Sequence, residues 1–188
     1  SLNQWLFSQD NQLAALHHIQ SQQWLTTFSA LILKSNTGYI FHVGDSRISK
    51  FRQQALEPIT RDHNQKQGSS HLVLTRALGA DSRLKVDVHQ VDLQSGDVYL
   101  LTCDGVHDFL SNSQLRACLN AISTTPDNYE LEQLSKEIVQ KALAAGSDDN
   151  VSCLLVYVKS VPNRKVEEIE RDLLNKAIPP ALTPGIKL

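Results

Sequence analysis

Hydrophobic and polar positions change period several times along this chain, and each change predicts an element. Leu6, Leu13, Leu16 and Ile19 recur at helical spacing, which predicts an amphipathic helix ending before Trp24. The pattern then shortens. Residues 26–33 and 39–43 are apolar runs separated by Ser35-Asn36-Thr37-Gly38, the composition of a β-hairpin turn. A third strand is predicted over residues 47–51, turning at Gln53-Gln54. From residue 58 to residue 80 the periodicity fades around Gly68-Ser69-Ser70, which predicts a long irregular segment of the kind that is either functional or disordered. Strand signals return over residues 86–91. After a turn at Ser95-Gly96, Val98-Tyr99-Leu100-Leu101 reads as a strand buried on both faces.

Two helices follow. Ser111-Asn112-Ser113-Gln114 has the form of a capping box, in which hydroxyl and amide satisfy free backbone N–H groups. The second helix is predicted to begin near Thr125-Pro126-Asp127, with Pro in the first turn, to carry Leu131, Leu134, Ile138 and Ala142 on one face, and to stop at Gly146. Residues 151–158 form a last strand, apolar on both sides. Strands apolar on both sides but joined by hairpins must be covered twice. That predicts an α+β fold, a two-sheet antiparallel β-sandwich flanked by helices in the order α-β-β-α. Beyond Lys159 a charged helical patch runs through Lys176 and gives way to Pro179-Pro180 and Pro184-Gly185. Residues 1–160 are therefore expected to form the domain, and residues 161–188 a helical extension with a Pro-containing linker.

Composition narrows the class. A chain of 188 residues, 41% hydrophobic and 20% charged, is expected to form one soluble globular domain. A formal charge of −2 gives no reason to expect nucleic acid or an acidic membrane as partner. No apolar run approaches the roughly 18 residues of a membrane span, and the start does not resemble a signal peptide. Ser1 in place of an initiator Met reads as a fragment or a processed product. Cys103, Cys118 and Cys153 form no CxxC pair and are odd in number, which reads as reduced thiols in a cytoplasmic protein.

Three acids share a setting at strand boundaries. Asp45 lies in Val43-Gly44-Asp45-Ser46-Arg47, Asp104 ends the strand buried on both faces, and Asp149 sits in Ser147-Asp148-Asp149-Asn150. Taken alone, Asp104-Gly105 is equally the chemistry of a turn. If the strands are neighbours, the acids converge. Two carboxylates about 4 Å apart repel by roughly 4 kcal/mol at an effective dielectric near 20, so convergence calls for cations. Oxygen ligands favour Mg²⁺ or Mn²⁺, and no His/Cys set has zinc spacing. Such ions could activate water for phosphoryl hydrolysis without a nucleophilic side chain. Neither a G-x-S-x-G elbow nor a Gly-rich loop with Lys is present.

Six segments in order carry a family likeness: Thr26-Thr27, Val43-Gly44-Asp45-Ser46-Arg47, Thr60-Arg61-Asp62-His63, Leu74-Thr75-Arg76-Ala77-Leu78-Gly79, Thr102-Cys103-Asp104-Gly105-Val106 and Asp148-Asp149-Asn150-Val151. Together they resemble the metal-dependent protein phosphatase family, of the protein phosphatase 2C type. The resemblance implies a pair of antiparallel sheets flanked by helices. It also implies hydrolysis of phosphoserine or phosphothreonine on proteins by a metal-bridging water, with no catalytic side chain. Asp104 and Asp149 are then expected to be ligands of a binuclear Mn²⁺/Mg²⁺ centre, and Asp45 to help hold a third, weaker ion. Arg47 and Asn150 are expected to orient loops, and residues 64–72 to resemble the mobile flap beside the substrate cleft.

The resemblance covers the later part of such a domain. The family's early strands, with a phosphate-binding Arg, a second acidic ligand and an Asp-Gly-His-Gly segment, have no counterpart here. This chain alone is therefore expected to show little or no phosphatase activity. Sheet edges left open by the absent strands are expected to favour a homodimer, and the tail is similar to segments that join such phosphatases to a kinase domain. The rival expectation is a non-catalytic regulatory or phosphoprotein-binding module. For the remaining polar residues the expectations are structural. His63 is satisfied by neighbours, His42 is a packed or edge residue on its strand, Asp62 and Asp148 cap loops, and Arg76 is an ion-pair partner. His107 and Asp108 lie in a first helical turn, where the dipole favours Asp108.

Overall fold

The computed structural model describes residues 2–8, 24–67, 71–163 and 166–177. Its elements in order are a short helix α1 (residues 2–8), strands β1 (Phe28–Lys34), β2 (Thr37–Val43), β3 (Arg47–Arg52), β4 (Ala55–Pro58), β5 (Asn64–Gln67), β6 (His71–Leu74), β7 (Asp87–Asp92) and β8 (Val98–Thr102), helices α2 (Asp104–His107), α3 (Asn112–Leu119) and α4 (Asn128–Ala144), strand β9 (Cys153–Tyr157) and helix α5 (Val166–Ala177). The predicted helix through Leu13, Leu16 and Ile19 lies largely outside the described residues, as do Pro179-Pro180 and Pro184-Gly185.

Two antiparallel sheets form the sandwich, one ordered β1-β2-β7 and the other β4-β3-β8-β9. The double apolar pattern of β8 has a direct physical cause. Tyr99 and Leu101 join Ile40, Ile48, Leu31 and Val91 between the sheets, whereas Val98 and Leu100 face Leu115, Leu119, Leu134 and Ile138 of the helices. Both layers of core are thus built on one strand. The α+β architecture predicted from the strand pattern is the one observed.

Local signals set the helix starts. Ser111 Oγ accepts from Gln114 N at 3.3 Å and Gln114 Oε1 accepts from Ser111 N at 2.9 Å, the reciprocal capping box. For α4 the N-cap is Asp127, whose carboxylate accepts from Glu130 N at 2.8 Å, so Pro126 precedes the helix rather than opening its first turn.

Other expectations are corrected. The segment expected to be irregular contains the β5–β6 hairpin, paired from Asn64↔Leu74 to Gln67↔His71. Asn64-Gln65-Lys66-Gln67 has no apolar alternation, so its strand state comes from backbone pairing and left no hydrophobic period to read. The last strand is an edge strand, and Leu154 on it is exposed rather than buried. Asp108 is the C-cap of the single turn α2, not a first-turn residue. Its carboxyl is pushed up by burial and then by Asp104, and at the C-terminal end of the turn the helix dipole does not favour a negative charge. Among the described residues no helix is long and apolar enough to cross a membrane.

Candidate metal centre

Two strand ladders bring the acid-bearing segments to one end of the four-stranded sheet. The β3–β8 register pairs Arg47 with Thr102, which sets the Gly44-Asp45-Ser46 turn beside Cys103-Asp104. The β8–β9 register pairs Thr102 with Cys153, which brings residues 147–152 to the other side. Asp104 opens α2 and its Oδ1 accepts from Gly105 N at 2.9 Å. Gly105 allows the third segment to close in. A Cβ at this position would meet the Asn150 carbonyl oxygen, with its carbon at 3.1 Å. Ser147 Oγ donates to Gly105 O at 2.8 Å, and Cys103 Sγ donates to Asn150 O at 3.0 Å.

The electrostatics are those of an acid group short of cations. The Asp45 carboxyl is pushed up by burial, then by Asp104. Arg47 does not relieve this, because its guanidinium is committed to Asp62 by two bonds, Nε to Oδ1 at 3.2 Å and Nη2 to Oδ2 at 2.6 Å. Asp62 is therefore an ion-pair partner and not the loop cap expected from sequence. Asp149 is exposed, and its Oδ1 accepts from Asn150 N at 2.6 Å. Among the described residues no three His, Cys, Asp or Glu groups lie close enough together to hold a metal ion. Asp45 and Asp104 thus feel each other's charge, while Asp149 is carried nearby without closing a three-carboxylate cage.

The donor chemistry fits a hard divalent cation. The candidate donors are carboxylate oxygens near strand ends, and the Arg47 guanidinium is already paired with Asp62. What the described residues supply falls short of the six oxygens such an ion prefers.

Next to this group, His107 is buried, with Nδ1 sharing a hydrogen bond of 2.9 Å with Thr102 Oγ1 and Nε2 without a partner, 3.9 Å from Asp62 Oδ2. Burial first, and then Arg47, push its pKa down to about 4. A histidine held below its unfolded value supports folding fully above the unfolded value, near 6.5, and loses that support as pH falls through about 4. Urea midpoints measured between pH 7 and pH 4 are expected to fall steadily, and less steeply in His107→Gln. Equal slopes would count against a neutral buried imidazole.

A second polar network, behind Asp45, is one the sequence reading left mostly unassembled. His42 and His63 lie 4.7 Å apart by ring centroid, and Asp87 bonds both His63 and Arg76. His63 is satisfied by neighbours and Arg76 is an ion-pair partner, as expected, and His42 is packed, fully buried on the central strand of its sheet. Asp87 was missed. Its signal was an acid in phase with the inward positions His89 and Val91 of β7, where an apolar residue is the usual occupant.

A model described as protein phosphatase 2C matches residues 1–145. The chain belongs to the protein phosphatase 2C family. That match ends short of Asp149. Protein phosphatase PhpP of Streptococcus pneumoniae is 27% identical over 146 residues, which are 70% of this chain and 57% of PhpP. Serine/threonine phosphatase stp of Listeria monocytogenes is 27% identical over 146 residues, 70% of this chain and 56% of stp. The chain thus spans little more than half the length of these family members. Among solved structures, PppA of Pseudomonas aeruginosa, a key regulatory component of T6SS, has a TM-score of 0.68 at 26% identity, covering 81% of this chain and 63% of PppA. The catalytic domain of the serine/threonine phosphatase PstP, solved with two manganese ions, has a TM-score of 0.65 at 24% identity, covering 81% of this chain and 65% of PstP, a likeness of fold.

Proposed function

We propose that this chain is the later part of a metal-dependent serine/threonine protein phosphatase domain, acting on phosphoproteins. Its own share of the metal centre is Asp104 and Asp149 for the catalytic pair of Mn²⁺ or Mg²⁺ ions and Asp45 for a third. The observation that carries this reading is the unbalanced pair at the sheet end, in which burial and Asp104 push up the carboxyl of Asp45 while Arg47 is held by Asp62. When bound, the cations would supply charge neutralisation at a phosphoryl group and a more acidic attacking water. The residues of this chain do the holding. α2 fixes Asp104 at the rigid end of β8, Gly105 admits the Asn150 backbone, and the Arg47–Asp62 pair keeps the Asp45 turn in place. The remaining ligands are assigned to that portion of the relatives' length which this chain does not span, and the PstP structure with two manganese ions supports the choice of cation.

Calorimetric titration of this chain with Mn²⁺ is expected to give weak binding, weakened roughly tenfold or more by Asp104→Asn. Hydrolysis of an aryl phosphate by the chain alone is expected to stay at background. Mn²⁺-dependent hydrolysis that Asp104→Asn abolishes would mean that these residues already complete a centre. A second reading, a phosphoprotein-binding module without catalysis, draws on the lack of a closed three-ligand group among the described residues. Absence of Mn²⁺ binding at millimolar concentration, together with binding of a phosphoserine peptide, would select it.

A further inference from the structure

We propose that His63 and Asp87 are positioning residues that tie both feet of the β5–β6 hairpin to the turn carrying Asp45. Its bearing on catalysis rests on the assignment of Asp45 above. His63 clasps Gly44 twice, with its backbone N donating to Gly44 O at 2.8 Å and its Nδ1 accepting from Gly44 N at 3.1 Å. Because Nδ1 accepts, the ring proton is on Nε2, which donates to Asp87 Oδ2 at 2.9 Å. The other oxygen of the same carboxylate accepts from Arg76 Nη1 at 2.7 Å. Thr75 N closes the loop by donating to His63 O at 2.7 Å.

The placement of these residues gives the network its function. His63 immediately precedes β5 and Thr75-Arg76 immediately follow β6, so one carboxylate on β7 holds the hairpin at both ends. Behind His63, His42 is fixed by Ser29 Oγ donating to Nδ1 at 2.9 Å and by its own Nε2 donating to Arg61 O at 3.1 Å. The position of Gly44 admits no side chain. It has φ +113°, and a Cβ there would sit 2.5 Å from Thr27 Cβ. Displacing the hairpin at its feet therefore pulls His63, and His63 moves Gly44 and the neighbouring Asp45.

Amide hydrogen exchange on the whole 188-residue chain tests the coupling without any metal. Asp87→Asn keeps one acceptor oxygen for two donors, so the relay must lose a link, and exchange at Gly44 and Thr75 is expected to accelerate roughly tenfold with β3 and β8 unchanged. His63→Asn retains an acceptor near the Nδ1 position but cannot reach Asp87, so the hairpin amides should loosen most while Gly44 accelerates no more than in Asp87→Asn. His63→Gln retains the reach to Asp87 and loses the acceptor for Gly44, so the pattern should invert. Arg76→Gln, cut at the half-exposed end of the relay, should produce a smaller acceleration at Gly44 and serves if a histidine variant does not fold. Unaltered Gly44 exchange in Asp87→Asn, or the same pattern in both histidine variants, would overturn the proposal. Adding Mn²⁺ to the unsubstituted chain separates the two claims. If Gly44 and the hairpin are then protected, and less so in Asp87→Asn, the relay reaches the metal. If no protection appears in the unsubstituted chain, the metal assignment fails, and the variant patterns still decide the coupling.

Discussion

Arg52→Ala is expected to cost about 3–5 kcal/mol of folding stability, because it strands a carboxylate inside the protein. Asp97 is 1% exposed, and Arg52 meets it with Nε to Oδ1 and Nη2 to Oδ2, both at 2.6 Å. Arg52 Nη2 also donates to Asp92 O at 2.8 Å, and Gln94 N donates to Asp97 Oδ2 at 2.8 Å. The pair thus joins β3 to the end of β7 and the entry of β8, fastening the two sheets at one end. The cost is asymmetric. Asp97→Asn leaves an acceptor in place and an arginine that is already 23% exposed and can reach water, so it should cost clearly less. Urea midpoints of both variants decide it, and equal losses for Arg52→Ala and Asp97→Asn would contradict the account.

Gly105→Ala is expected to cost about 2–3 kcal/mol and to separate the Asp104 and Asp149 segments. The added methyl meets the backbone of Asn150, which cannot rotate away as a side chain can, so either α2 or residues 147–152 must move. Ser147→Ala is the control. It removes the 2.8 Å bond from Ser147 Oγ to Gly105 O without adding volume, and about 1 kcal/mol is expected. Denaturation midpoints measure the first effect. Mn²⁺ affinity measures the second, and it should fall in Gly105→Ala more than in Ser147→Ala. A Gly105→Ala protein with unaltered midpoint and affinity would show that the approach of Asn150 is not a constraint.

Much of the architecture was legible because burial leaves a period in the sequence. The two faces of β8, the apolar face of α4 and the capping box at Ser111 were all written in residues close to one another along the chain. The β5–β6 hairpin was not legible, since β5 is entirely polar and held by backbone bonds, and the apolar residues of β6 are a run too short to show a period. Asp108 was misplaced because α2 is a single turn, and a helix start and a helix end are then four residues apart.

The candidate site divides along the same line. Acids at strand ends named Asp45, Asp104 and Asp149, because a charge beside an apolar strand is costly and therefore conspicuous. Which charges neutralise which was invisible. Arg47 with Asp62, Arg52 with Asp97, and Asp87 with both His63 and Arg76 are pairs 15, 45, 24 and 11 residues apart, and no periodicity connects their members. The sequence by itself determined the class of fold and the family likeness, since these follow from local pattern and residue type. Only the tertiary structure decided that Arg47 is committed to Asp62, that Gly105 admits the Asn150 backbone, and that Asp87 reaches Gly44 through His63. Those outcomes depend on Coulomb forces and steric exclusion, which act through space and are set by the register of strands distant in sequence.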